Sequence, residues 1–301
     1  MRYFVAVAEE LHFGRAAERL HLAQQPLSAA IKRLEEGLGV RLLERTSRKV
    51  TLTEAGRVYL SEVRVILQRT AEAAEAAQRA ARGELGQLSV GYTAGTLHNV
   101  LPPTVRRFRE RYPGVELKLH ESTPPEIEVA LTRGDVQVGL LCPPVSHPAL
   151  AAEVVLRQPL MLALPSGHAL TGRPSVPLRA AADEPFVLYQ RALSPGVYDA
   201  IMGLCRAAGF TPRIAQEVAT EGAVVGLIAA GMGVALVSSS QRRVPREGIE
   251  YRFLEGPPAE VELVAAWALA DRSPVTAAFL AMVREEGRDL TASERALSRA
   301  S

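Results

Sequence analysis

The side chains best equipped to recognise another molecule cluster near the N-terminus: Gln24, Gln25, Ser28, Lys32 and Arg33, then Arg45, Arg48 and Lys49 around a Thr-Ser turn. Glutamine can bond to both the donor and the acceptor on the edge of an adenine, serine can reach a base edge or a phosphate, and lysine neutralises phosphate. For that chemistry these residues need one face of a helix. The stretch from Gln25 supplies it. Leu27, Ile31, Leu34 and Leu38 recur at helical spacing and should face inward, which leaves Gln25, Ser28, Ala29, Lys32 and Glu36 outward. Pro26 falls in the first turn, where its missing N–H has no intrahelical partner. Upstream, Ala16-Ala17 and Leu20 belong to an earlier helix whose small residues let a second helix cross closely. Downstream, Val40 to Glu44 and Val50 to Leu52 flank the basic turn as a short hairpin, a wing whose arginines suit phosphates or a narrow minor groove. Each part alone has an ordinary explanation, since charged helix faces and basic turns are usually just solvated. Jointly they point to a nucleic-acid surface.

The remaining composition narrows the field. With 301 residues, 48% of them apolar, the chain is long enough for about two domains with their own cores, which excludes a disordered or collagen-like protein. A net charge of +2 identifies no partner, but residues 1–60 carry +3 and the rest −1. Cys142 and Cys205 are too few for a disulfide framework and have no zinc spacing, and His98 and His120 stand alone, so no metal is expected. Cys205, in the apolar IMGLCRAAG, reads as an inert buried thiol. There is no phosphate loop, nucleophile elbow or recognisable pair of catalytic carboxylates, so no enzyme is expected. The apolar run Tyr3 to Ala8 is too short for a secretory signal, and the reading is a cytoplasmic protein. Gly222 to Ser240 holds nineteen residues without a charge, but its glycines divide it into a helix-like GAVVGLIAAG and a strand-like VALV rather than a membrane span.

Three zones follow: a head over residues 1–58, a linker over 59–86 and a larger domain over 87–301. From Tyr59 to Arg82 there is no Gly or Pro, which predicts one long helix. Its less polar positions Leu60, Val63, Leu67, Thr70, Ala74, Ala77 and Ala81 alternate by three and four, the period of a coiled-coil seam; packing within its own domain is the alternative. After Gly83 and Gly86 the pattern becomes strand, helix, strand, helix, strand, at Leu88 to Tyr92, Val100 to Arg111, Val115 to His120, Pro125 to Arg133 and Val136 to Leu141. The same order recurs from Phe186 to Val237. Leu160 to Leu164 and Val261 to Ala266 read as crossover strands, and a helix from Pro274 to Glu286 returns to the first unit. The α/β subdomains are thus about 87–160 with 266–290, and 161–265. The tail from Gly287 is polar with alternating charge and reads as a loose helix or disorder. A ligand cleft between the subdomains would be walled by the loops Thr93 to His98, Ser122 to Pro125, Gln190 to Gly196 and Ala219 to Glu221.

The stretch AAERLHLAQQPLSAAIKRLEEGLGVRLLERTSRKVTLTEAG resembles the winged helix-turn-helix signature of LysR-type transcriptional regulators, and the layout after it resembles that family over essentially the whole chain. The resemblance implies an α/β protein overall, with a helix-rich DNA-binding head, a dimerising linker helix and an effector domain similar to periplasmic binding proteins. It implies a homodimer through the linker, a homotetramer, a dyad operator in double-stranded DNA, RNA polymerase as a further partner and no membrane. By position it places Gln24, Gln25, Pro26, Ser28, Lys32 and Arg33 at DNA, with Arg45, Arg48 and Lys49 from the wing. It places Gly95, Thr96, Ser122, Thr123 and Thr220 at the effector, with Gln190, Arg191 and Ser194 from the facing loop. Gly14 stands where the family often has a Thr or Ser able to cap a helix. No cofactor is implied beyond the effector. The hydroxyls suit a small carboxylate or another polar metabolite, with Glu221 opposing an anion unless it points outward; the same hydroxyls could equally cap helices. A solute-binding protein or sensor without a DNA role is the alternative that the α/β units alone would allow.

Overall fold

The computed structural model describes residues 1–45, 49–257 and 259–300. The chain divides into two compact units, Met1–Arg79 and Ala80–Ser301. In the first, α1 (Arg2–Glu10), α2 (Phe13–Arg19) and α3 (Gln24–Leu38) precede β1 (Leu43–Arg45), β2 (Val50–Leu52) and α4 (Glu54–Ala81). Phe4, Val7, Ala16, Ala17, Leu27, Ile31, Leu42 and Leu43 make its core. Leu38 departs from the expected inward face and is exposed, because α3 ends there and Gly39 turns the backbone left-handed at φ 70°. The helix cap that Gly14 cannot supply comes from His12, whose Nδ1 accepts the N–H groups of Gly14 and Arg15 at 3.1 and 3.3 Å. β1 and β2 pair antiparallel, Leu43 opposite Leu52.

The linker helix starts upstream of the expected Tyr59. Thr53 Oγ1 accepts the Gly56 N–H at 2.9 Å and donates to the Arg41 carbonyl at 2.8 Å, so the cap lies ahead of Glu54. Gly56 is inside the helix, and a Cβ there would fall 2.0 Å from the Leu42 carbonyl oxygen. The first positions of the expected seam are turned inward: Val63 is buried and Leu60 packs on the head's own core. The large apolar residues that the helix leaves exposed are Val58, Val65 and Ile66.

The second unit runs β3 (Gly86–Tyr92), α5 (Leu101–Arg111), β4 (Val115–Glu121), α6 (Pro124–Arg133), β5 (Val138–Leu141), β6 (Leu150–Pro165), β7 (Ser175–Val176), β8 (Pro185–Tyr189), α7 (Pro195–Ala207), β9 (Arg213–Val218), α8 (Glu221–Ala229), β10 (Ala235–Ser238), β11 (Ile249–Leu254), β12 (Glu260–Ala268) and α9 (Pro274–Ala300). β3 is parallel to β4 and β5, and β8 is parallel to β9, as strand-helix-strand connections require. The crossovers are longer than the sequence suggests. β6 pairs antiparallel with β12 through its first part and with β10 and β11 through its second, which links the two subdomains by hydrogen bonds. One core gathers Leu88, Val90, Phe108, Leu140 and Phe279, another Leu162, Phe186, Ile201, Val225 and Leu236. Cys205 belongs to the latter, where burial pushes its thiol up to about 11.

The tail takes the helical form of the two expected. α9 continues past Gly287 to Ala300. A Cβ on Gly287 would lie 1.9 Å from the Val155 carbonyl oxygen, so this glycine marks the close crossing of α9 over β6 and not the end of the helix. Farther on, Glu294 is fully buried and accepts hydrogen bonds from Ser239 Oγ at 2.6 Å and Arg243 at 2.7 Å. Among the described residues no helix is long and apolar enough to cross a membrane; Gly222 to Ser240 contains α8 and β10.

Candidate functional site

Leu27 and Ile31 anchor α3 in the head core, and that anchoring leaves Gln24, Gln25, Pro26, Lys32 and Arg33 exposed. Lys32 lies 3.7 Å from Glu36 in a fully solvated pair, which holds it only weakly. Ser28 is half-buried and accepts a hydrogen bond from Arg45 at 3.4 Å. Arg45 also bonds to Glu35 at 3.1 Å and lies over the Phe13 ring at 4.7 Å. It therefore ties the wing back to α2 and α3, a bracing role that differs from the free phosphate contact expected of it. Glu35 completes the brace by accepting the N–H groups of Leu42 and Leu43 at 2.8 and 3.0 Å. Lys49 is exposed beside β2, and Arg48 lies outside the described residues.

In the second unit a cavity of about 260 Å³ opens between the two α/β subdomains. Gly95, Thr96, Ser122, Thr123, Ser194 and Thr220 all line it. Gln190 and Arg191 do not: both are exposed, and the Arg191 guanidinium turns to Asp199 of α7, at 2.8 and 2.9 Å to its two oxygens. Several hydroxyls are committed to local structure. Thr96 Oγ1 donates to the Thr93 carbonyl at 2.7 Å, Thr123 Oγ1 donates to Glu126 at 2.9 Å, and Thr220 caps α8 by accepting the Ala223 N–H at 3.2 Å. Glu221, the first residue of α8, points into the cleft. Its carboxyl meets Ser238 Oγ at 3.4 Å and the Tyr189 hydroxyl, and a Cβ on Gly95 would come within 2.9 Å of it. Burial pushes this carboxyl up to about 7, against the pull of the hydrogen bonds from Ser238, Gln241 and Tyr189. Cys142 also lines the cavity, its thiol pushed up to about 12 by burial and by the nearby Glu221. Among the described residues no group of three His, Cys, Asp or Glu is placed to hold a metal ion.

Residues 1–57 match the profile of the bacterial regulatory helix-turn-helix proteins of the lysR family, and residues 81–288 match the LysR substrate binding domain. The chain belongs to the LysR family. It is 40% identical over 272 residues to the HTH-type transcriptional regulator AlsR of Bacillus subtilis (strain 168), covering 90% of this chain and 89% of AlsR. The crystal structure of CbnR, a LysR family transcriptional regulator, superposes with a TM-score of 0.84 at 30% identity, over 94% of this chain and 98% of CbnR. The structure of full-length CbnR complexed with its target DNA superposes equally, with a TM-score of 0.84 at 29% identity, over 95% and 98%. This LysR protein is a DNA-binding transcriptional regulator whose activity is modulated by a small-molecule effector held between its two α/β subdomains.

Within this LysR chain, sequence reasoning missed Tyr189, Cys142, Gln158 and Ser238, which reach the cavity from strands or strand ends. Their signal was weak, because Tyr189, Cys142 and Ser238 end apolar runs that read as core and Gln158 stands between Arg157 and Pro159 with no motif around it. Glu221 was visible as a charged residue at a helix start, and only its direction was open.

Proposed function

We propose that α3 enters the major groove of a dyad operator and reads bases through Gln25, with Gln24 and Ser28 beside it and Lys32 and Arg33 on phosphates. The observation that carries this reading is the face of α3 that burial of Leu27 and Ile31 leaves open. The solved complex of CbnR with its target DNA supports it, at 29% identity and a TM-score of 0.84. The protein acts by binding and not by catalysis, in the cytoplasm, as a homodimer through α4 that pairs into a homotetramer. Half-sites would then be spaced by about one helical turn, roughly 34–36 Å, or a multiple of it. The effector is a small polar molecule in the cleft, which favours one arrangement of the two subdomains over another.

The test is selection of bound genomic fragments followed by anisotropy titrations on the fragments recovered. Gln25→Ala should lose about 1–3 kcal/mol of affinity for selected fragments and relax their sequence preference. Lys32→Ala should weaken all fragments alike and reduce the salt slope by about one. Unchanged affinity and preference in Gln25→Ala would remove α3 as the reading helix.

A further inference from the structure

The cleft wall carries Glu121, Glu126, Glu221 and Glu262, and no Lys, Arg or His from the described residues. Two of these carboxylates are engaged elsewhere: Glu126 accepts from the Thr123 N–H and hydroxyl, and Glu262 pairs with Arg157 at 2.8 Å. Glu121 is exposed, and Glu221 is the recessed one. It sits against Gly95, at the start of the turn after β3, so the place where an anionic ligand would meet that loop already holds a carboxyl of the chain itself. Beside it lies Gln241, which is 5% exposed. Part of the wall is apolar, with Val197, Leu236, Val261 and Leu263. A ligand carboxylate would be repelled wherever Glu221 is ionised, whereas an ammonium would favour the ionised form and pair with it. The volume, about 260 Å³ and so just below the roughly 300–1,000 Å³ usual for ligand sites, limits the guest to a small molecule.

We propose that the effector is a small amine whose ammonium is accepted by Glu221 while its carbon skeleton lies along the apolar wall; this rests on the reading of the cleft as the effector site. It replaces the carboxylate expected from the loop hydroxyls, most of which are spent on capping and turns.

Full-length protein is titrated, by calorimetry and thermal shift at constant ionic strength near neutral pH, with amines and acids matched in length: butylamine with butyrate, putrescine with succinate, ethanolamine with glycolate. At least one amine should bind about tenfold or more tightly than its matched acid, and Glu221→Gln should erase that preference. Acids binding as tightly as the amines, no response to any amine, or a preference that survives in Glu221→Gln overturns the proposal. Ala219→Trp and Ser194→Trp, which fill the cavity from two sides, separate this failure from that of the site. Acid binding lost in both fillers leaves the cleft standing and the ligand class wrong, whereas compounds that bind both fillers as they bind the native chain overturn the cleft itself. Two fillers guard against either one misfolding, which circular dichroism checks.

Discussion

Glu221 links protonation to folding. Its carboxyl is held at about 7 against an ordinary value of 4.5, so the folded chain binds this proton more tightly than the unfolded chain. The sign is that of a raised acid: the stabilisation is complete below about 4.5 and is lost as pH rises through about 7, by up to about 3 kcal/mol at ~1.36 kcal/mol per unit. The other groups facing it, Tyr189, Cys142 and Tyr251, are all pushed upward by burial and stay neutral through that window. Glu126 is lowered by its bonds to Thr123 and acts with the opposite sign at lower pH. Urea denaturation from about pH 5 to about pH 8 should therefore show native stability falling relative to Glu221→Gln. Parallel profiles would contradict the burial of a titrating carboxyl. The same scale accounts for Arg45 and Arg191. As residue types both were good candidates for contact with a ligand, yet Glu35 and Asp199 lie within reach and hold them. A guanidinium's role is set by the nearest carboxylate, and sequence does not state that distance.

Among the elements, α9 shows how one residue type signals opposite things. A glycine followed by polar residues reads as a helix end, because glycine lowers helix propensity and closes helices in left-handed geometry. At Gly287 the absent side chain instead admits the Val155 carbonyl, and the helix proceeds to bury Glu294 against Ser239 and Arg243. Gly287→Ala should cost about 1–3 kcal/mol in urea denaturation, as overpacking does. Gly222→Ala, in a helix where a Cβ would meet nothing within 4 Å, should gain about 0.5–1 kcal/mol. Equal effects of the two substitutions would mean that the α9 crossing is looser than described. α4 teaches a related lesson. Its three-and-four spacing was legible and its helix real, but Val63 is buried and Leu60 satisfies that spacing against the head's own core. Periodicity names a face and not what covers it.

At the scale of the molecule, the two α/β halves are joined by the paired strands β6 and β12, and both strands contribute to the wall of the cavity between the halves. Assembly should rest on the apolar surface that α4 leaves exposed at Val58, Val65 and Ile66. Ile66→Asp is expected to raise the dimer dissociation constant about tenfold or more, read as a lower mass in sedimentation velocity; an unchanged mass would move the interface elsewhere. The sequence by itself determined the outward glutamines of α3, the alternation of strands and helices and the four loops that wall the cleft. These depend on spacing along the chain and on turn chemistry, which neighbouring residues set among themselves. Only the tertiary structure decided that Glu221 turns inward, that Arg45 and Arg191 are held by carboxylates, and that α9 crosses β6 at Gly287. Burial and charge pairing depend on which distant groups come within a few ångströms, as when Glu294 meets Ser239, and that proximity exists only once the chain has folded.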